Sequence, residues 1–176
     1  MTPTRFSLAT RLLHWTMAPL LIAMLLVGAG MVATLSHWRL TLLALHKPLG
    51  LALLVLAVLR LLLRLRGKTP PLPASLPPAL RLAAYLSHWL LYGCMLAMPL
   101  IGWAMLSAGG FPLPWHLPAL GVPNVGHYAF LRTLHTGLGE LFYLLVIGHV
   151  LAGLAHALLL RDGVFEAISL GRRAGD

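Results

Sequence analysis

The sequence predicts an all-α protein, a transmembrane four-helix bundle, on three observations. Hydrophobic residues make up 59% of the 176-residue chain and charged residues only 10%, against about 25% charged in an ordinary soluble domain. Four apolar stretches are each long enough to cross a hydrocarbon layer about 30 Å thick. The basic residues behind the net charge of +9 flank those stretches instead of lining one polar face. Retention at a membrane surface explains that placement, and nucleic acid is not the expected partner. At this length residues 1–176 are expected to form a single domain.

The first span is expected over about Leu12 to Leu35, preceded by Arg5 and Arg11 and bent at Pro19, where a backbone donor is missing. Its apolar run outlasts the core of a signal peptide and no clear Ala-x-Ala-like site follows, so it is read as a membrane span. After the short Ser36-His37-Trp38-Arg39 connection, the second span covers about Leu42 to Leu63 and exits through Arg60, Arg64, Arg66 and Lys68. The stretch Thr69 to Pro78 is too rich in proline for a helix and reads as a stiff connector. The third span is about Ala83 to Leu106, interrupted by Pro99, and Ser107 to Leu131 reads as an extramembrane loop. The fourth span is about Leu134 to Leu160, followed by a short tail with Arg172 and Arg173.

Four spans place both termini on one side of the membrane. That side holds ten Lys and Arg residues: Arg5, Arg11, Arg60, Arg64, Arg66, Lys68, Arg81, Arg161, Arg172 and Arg173. The other side holds three, Arg39, Lys47 and Arg132, with no Asp or Glu in its connecting segments. The excess of positive charge makes the termini cytoplasmic.

The fourth span carries both His135 and His149. The fourteen helical steps between them return to within about 40° of the starting face and climb about 21 Å. Polar rings near both edges of the hydrocarbon layer mark a functional site. Span direction alone then sets partners at matching depth: His14 with His149 near the cytoplasmic edge, His46 with His135 near the outer edge. Two facing imidazoles in a helical bundle suit a six-coordinate haem iron. Zinc would need two further ligands at each level, and no Cys or acidic residue lies there. The single cysteine, Cys94, rules out an intrachain disulfide and iron–sulfur ligation, and no Cys-x-x-Cys-His attaches a haem covalently.

Gly50 and Gly153 each follow a histidine by one turn of helix, offering side-chain-free space on its face, and Gly28 falls at the depth of the outer pair. Ordinary small-residue packing is the competing reading for these glycines. Arg60 stands as far beyond His46 as His149 stands beyond His135, at the depth of the inner pair, where a guanidinium can meet haem propionates. His156 shares the face of His149 about 10 Å further toward the cytoplasm and is a candidate for a quinone carbonyl, as are His88 and Arg81. Each has a plainer reading as an interfacial or packed residue. His37, His116 and His127 are expected to be solvated. Glu140 is the one acid inside a span, either a proton relay or a protonated group at a helix interface.

His14-Trp15, Leu45-His46-Lys47-Pro48-Leu49-Gly50, Arg60-Leu61-Leu62-Leu63-Arg64, Pro99-Leu100-Ile101-Gly102 and His135…His149…His156 together resemble the prokaryotic cytochrome b561 family over nearly the whole chain. That family includes the membrane cytochrome subunits of hydrogenases and formate dehydrogenases. The resemblance implies two b-type haems (haem b), ligated through the positions matching His14/His149 and His46/His135. It also implies the activity of a free-standing superoxide oxidase, which takes electrons from superoxide on the outer side and passes them to ubiquinone.

With both axial positions filled, electron transfer at the haem edge is the chemistry left. A positive outer face carrying Arg39, Lys47 and Arg132 favours a small anion such as superoxide. Two other readings compete. One is an anchor cytochrome that takes electrons from a periplasmic protein or dehydrogenase subunit. The other is a non-redox membrane protein whose histidines bind metal or protons.

Overall fold

The computed structural model describes residues 4–171, so Arg172 and Arg173 of the expected tail lie outside the described residues. Helix α1 runs Leu8–Ala33, α2 Trp38–Arg66, α3 Pro78–Ala108 and α4 Val125–Leu154. The last of these continues through a wide π-helical segment, Ala155–Leu160, and a short helix α5 follows at Val164–Ile168. Among the described residues four helices have the length and hydropathy to cross a membrane. With a rise of about 1.5 Å per residue they exceed a layer about 30 Å thick, so their ends project into the headgroup regions.

Local chemistry starts these helices where it does. Ser7 Oγ accepts from Thr10 N at 3.2 Å, and Asn124 Oδ1 accepts from His127 N at 2.9 Å. Pro78 sits in the first turn of α3, where its missing donor is harmless. These caps correct the expected boundaries: each helix is longer than its apolar window. The expected loop 107–131 shrinks to 109–124, because Asn124 caps α4 and residues 125–131 form its first turns. Pro99 does not interrupt the third span, and Pro19 and Pro48 likewise sit inside continuous helices. Neighbouring helices re-satisfy such positions in a membrane span.

Two antiparallel hairpins make the bundle. Helix α1 packs along α2 and α3 along α4, with α2 against α3 joining the halves. Midway along the bundle, Leu21 and Leu25 of α1 pack on Leu91, Cys94 and Phe142 of the second hairpin. The 109–124 loop is tied back to the helices by Trp103 Nε1 donating to Pro118 O at 3.0 Å, Leu120 N to Ser107 Oγ at 3.1 Å and Lys47 Nζ to Pro112 O at 3.1 Å.

Both ends of the described chain meet on one side, here the terminal side. Phe6 N donates to Ala167 O at 3.0 Å, and Trp15 Nε1 donates to Ile168 O at 3.0 Å. Arg5 and Arg11 donate to Ser169 O at 2.9 and 3.0 Å. Cations at the open carbonyls of a helix C-terminus are favourable, so α5 is held as a cap over the start of α1.

Candidate functional site

The histidines stand at two levels. On the terminal side His14 of α1 faces His149 of α4 with ring centroids 6.3 Å apart. On the far side His46 of α2 faces His135 of α4 with centroids 6.2 Å apart. In each couple one ring comes from the first hairpin and the other from the second. The buried layer of Leu91, Cys94 and Phe142 lies among the same helices, with Met17, Met24, Leu51, Leu53 and Ala57 buried on the first hairpin.

The couples suit one metal ion each. A bond of about 2.0 Å from metal to imidazole nitrogen and about 1.1 Å from that nitrogen to the ring centre, taken twice, separate two ring centres by about 6.2 Å. Among the described residues, His14, His46 and His135 each have a buried Nδ1 with no hydrogen-bond partner. Histidines kept for packing would have those nitrogens bonded. Among the described residues no group of three or more His, Cys, Asp or Glu is arranged to hold a metal ion. Each couple therefore offers two donors, and a porphyrin, which brings four nitrogens of its own, completes six.

The surroundings match in part the expectations from spacing. A Cβ on Gly28 would lie 3.6 Å from His46 Cε1, so Gly28 does stand at the far-side ring. Gly153 faces open space, and Gly50 faces Met24, 3.3 Å from its Cε. The second close approach belongs to Gly102 of α3, whose Cβ would lie 3.4 Å from His135 Cε1. Spacing along one helix could not find it, because Gly102 serves a histidine on the neighbouring helix.

Arg60 is half-buried beside Tyr92 and within electrostatic reach of His14, His88 and His149. Among the described residues no carboxylate lies within ion-pair distance of it. A guanidinium so placed suits an anionic group brought by a ligand. His88 joins the terminal-side level, its ring centroid 5.4 Å from that of His149, with Nδ1 donating to Ala84 O at 2.6 Å.

The remaining candidates separate. Arg81 Nε donates to Leu76 O at 3.0 Å, tying α3 to the proline-rich connector. His156 Nδ1 pairs with Asp162 Oδ2 at 2.8 Å, a partner that sequence spacing did not suggest. Arg39 and Arg132 are both exposed, and Lys47 reaches Pro112 as described above. Glu140 lies on the exposed face of α4, two turns from Arg132.

A family model described as prokaryotic cytochrome b561 matches residues 5–171, a stretch that takes in both histidine couples. Cytochrome b561 homolog 2 of Escherichia coli strain K12 is 31% identical over an alignment of 183 positions, covering 99% of this chain and 96% of that one. A Yersinia pestis protein named probable superoxide oxidase CybB is 33% identical over 122 residues, 66% of this chain and 68% of its own. Cytochrome b561 homolog 1 of the same Escherichia coli strain is 30% identical over 121 residues, with the same coverage. The chain thus belongs to the prokaryotic cytochrome b561 family, a family of membrane electron-transfer proteins that bind b-type haem.

Proposed function

We propose that the whole chain acts as one transmembrane di-haem unit, with one haem b between His14 and His149 and one between His46 and His135. In this reading it oxidises superoxide at the far side and reduces ubiquinone at the terminal side. The observation that carries it is the two imidazole couples with ring centroids 6.3 and 6.2 Å apart at two levels of one bundle. A haem held between two such imidazoles would supply reversible one-electron exchange.

The chain's own residues do the rest. The four histidines clamp the hairpins together and place the two levels about 21 Å apart along α4. Arg60 would hold a propionate of the terminal-side haem. The basic residues of the terminal side place it in the cytoplasm, which puts Arg39, Lys47 and Arg132 on the periplasmic face, where they raise the encounter rate of an anion. Two superoxide ions yield two dioxygen molecules and two electrons; one quinone takes those electrons and two protons to become quinol. On the cytoplasmic side His156 and His88 are the groups available to a quinone carbonyl. Arg81 is committed to the connector.

A second reading has its own support. The relative aligned over 96% of its length carries only a cytochrome b561 name, which suits an anchor cytochrome fed by a periplasmic protein. The test is to mix purified haem-loaded protein with enzymatically generated superoxide and a short-chain ubiquinone. Haem reduction by superoxide and reoxidation by the quinone are expected. A protein with a normal reduced-minus-oxidised spectrum that superoxide leaves oxidised refutes the first reading in favour of the second.

A further inference from the structure

The end of α4 departs from helix regularity where the chain turns back under the bundle. Its last turns widen into the π segment Ala155–Leu160, in which Arg161 N donates back along the chain to His156 O at 2.8 Å. Arg161 then takes the left-handed conformation at φ 49° and ψ 40°, and Gly163 follows at φ 84°. A left-handed non-glycine residue is strained and, like a π turn, recurs at functional positions. The result of this backbone is specific. Asp162 folds back so that one carboxylate oxygen meets His156 Nδ1 at 2.8 Å, while the other accepts from Val164 N, the first residue of α5, at 3.3 Å. Both side chains are 17% exposed.

A carboxylate can only accept, so His156 Nδ1 carries the hydrogen, and Nε2 has no partner among the described residues. We infer that His156 and Asp162 form the proton-delivering pair for the acceptor that takes electrons on the terminal side, with His156 the donor and Asp162 its positioning residue. This rests on the reading that a quinone accepts electrons there. Asp162 fixes the ring and its tautomer through the Nδ1–H bond, so that Nε2 takes a proton from water on that side and passes it on. For each proton delivered, the Nε2–H bond breaks and an O–H bond forms on the quinone. His156 is left neutral with Nδ1–H still on Asp162, and Nε2 is protonated again from water on that side. Two such deliveries and two electrons, drawn one at a time from the far-side donor, convert one quinone to quinol.

Asp162→Asn tests the pair without dismantling the cap. Asparagine keeps an oxygen that can accept from Val164 N. It turns an NH₂ toward His156, so that Nδ1 must accept and the hydrogen moves to Nε2, a change of tautomer with little change of shape. In ¹⁵N spectra of the reduced, diamagnetic haem-loaded protein, His156 is expected as the Nδ1–H form in the wild type and the Nε2–H form in Asp162→Asn. Reduction of a short-chain ubiquinone at saturating concentration is expected to slow at least about tenfold with KM little changed. His156→Gln is expected to slow it similarly, and Asp162→Glu to restore part of the rate. Ferricenium, which takes an electron and no proton, is the internal reference for Asp162→Asn and keeps its wild-type rate. The inference is overturned if Asp162→Asn leaves quinone turnover unchanged, if it slows quinone and ferricenium equally, or if the tautomer does not change. A wild-type protein oxidised by ferricenium and never by quinone instead overturns the quinone reading and this inference with it.

Discussion

Gly28→Leu is the most direct probe of the far-side couple. A Cβ on Gly28 would lie 3.6 Å from His46 Cε1 and 4.0 Å from its Nδ1, which is ordinary van der Waals contact. Gly28→Ala therefore adds a methyl group without moving the ring. Leucine adds two methyls about 2.5 Å beyond Cβ, by bond lengths of about 1.5 Å, and brings them into the volume of the imidazole. Overpacking of this kind costs about 1–3 kcal/mol, which is roughly a 5- to 150-fold weaker hold on whatever His46 ligates. The assay is haem titration of the purified variant, read by the reduced-minus-oxidised spectrum and by low-temperature electron paramagnetic resonance. The terminal-side couple, about 21 Å away along α4, is the control within the same molecule. Two low-spin signals are expected in Gly28→Ala. In Gly28→Leu one signal should weaken or turn high-spin while the other stays. Two low-spin signals at wild-type haem affinity in Gly28→Leu would refute the placement of His46 as a ligand.

Three further outcomes follow from the same geometry. His46→Ala and His135→Ala should each lower the haem-to-protein ratio from two to one and abolish the same spectral component, and His14→Ala and His149→Ala should abolish the other; loss of one component by both His46→Ala and His149→Ala contradicts the pairing. Arg132→Glu should lower the second-order rate of haem reduction by superoxide several-fold at low salt, with the difference vanishing at high salt as the charge is screened; a salt-independent deficit would point to a different role. Gly163→Ala places a Cβ at φ 84° and should destabilise the cap by about 1 kcal/mol, seen as faster proteolysis after α4; an unchanged cleavage rate would show that α5 does not depend on that turn.

Much of the site was legible because helix geometry is local. The interval between His135 and His149 returns to nearly one face whatever surrounds it, and span direction then matched His14 and His46 to them in depth. The glycines were harder to read. Gly50 and Gly153 were chosen by their spacing along the histidine's own helix. Among the described residues two glycines approach a histidine ring, each from a neighbouring helix, and of these Gly102 was not singled out for that role. Gly28 was assigned by depth as well as by helix, and it stands beside the His46 ring. Pro99 misled for a related reason: a proline breaks an isolated helix, but a packed membrane helix runs through it.

Residue types, their order and their periodicity were enough to determine the membrane class, the four helices, the side on which each cluster of charge falls and the two levels of histidine. Each of these depends on interactions within one segment or between a segment and its solvent. The docking of α5 through Trp15, Arg5 and Arg11 needed the three-dimensional chain, as did the placement of Gly102 against His135. So did the meeting of His156 with Asp162, since six steps of a regular α-helix turn through about 600° and leave two residues about 120° apart. Only a widened turn and a left-handed exit, stabilised by packing beneath the bundle, bring that carboxylate back to that ring.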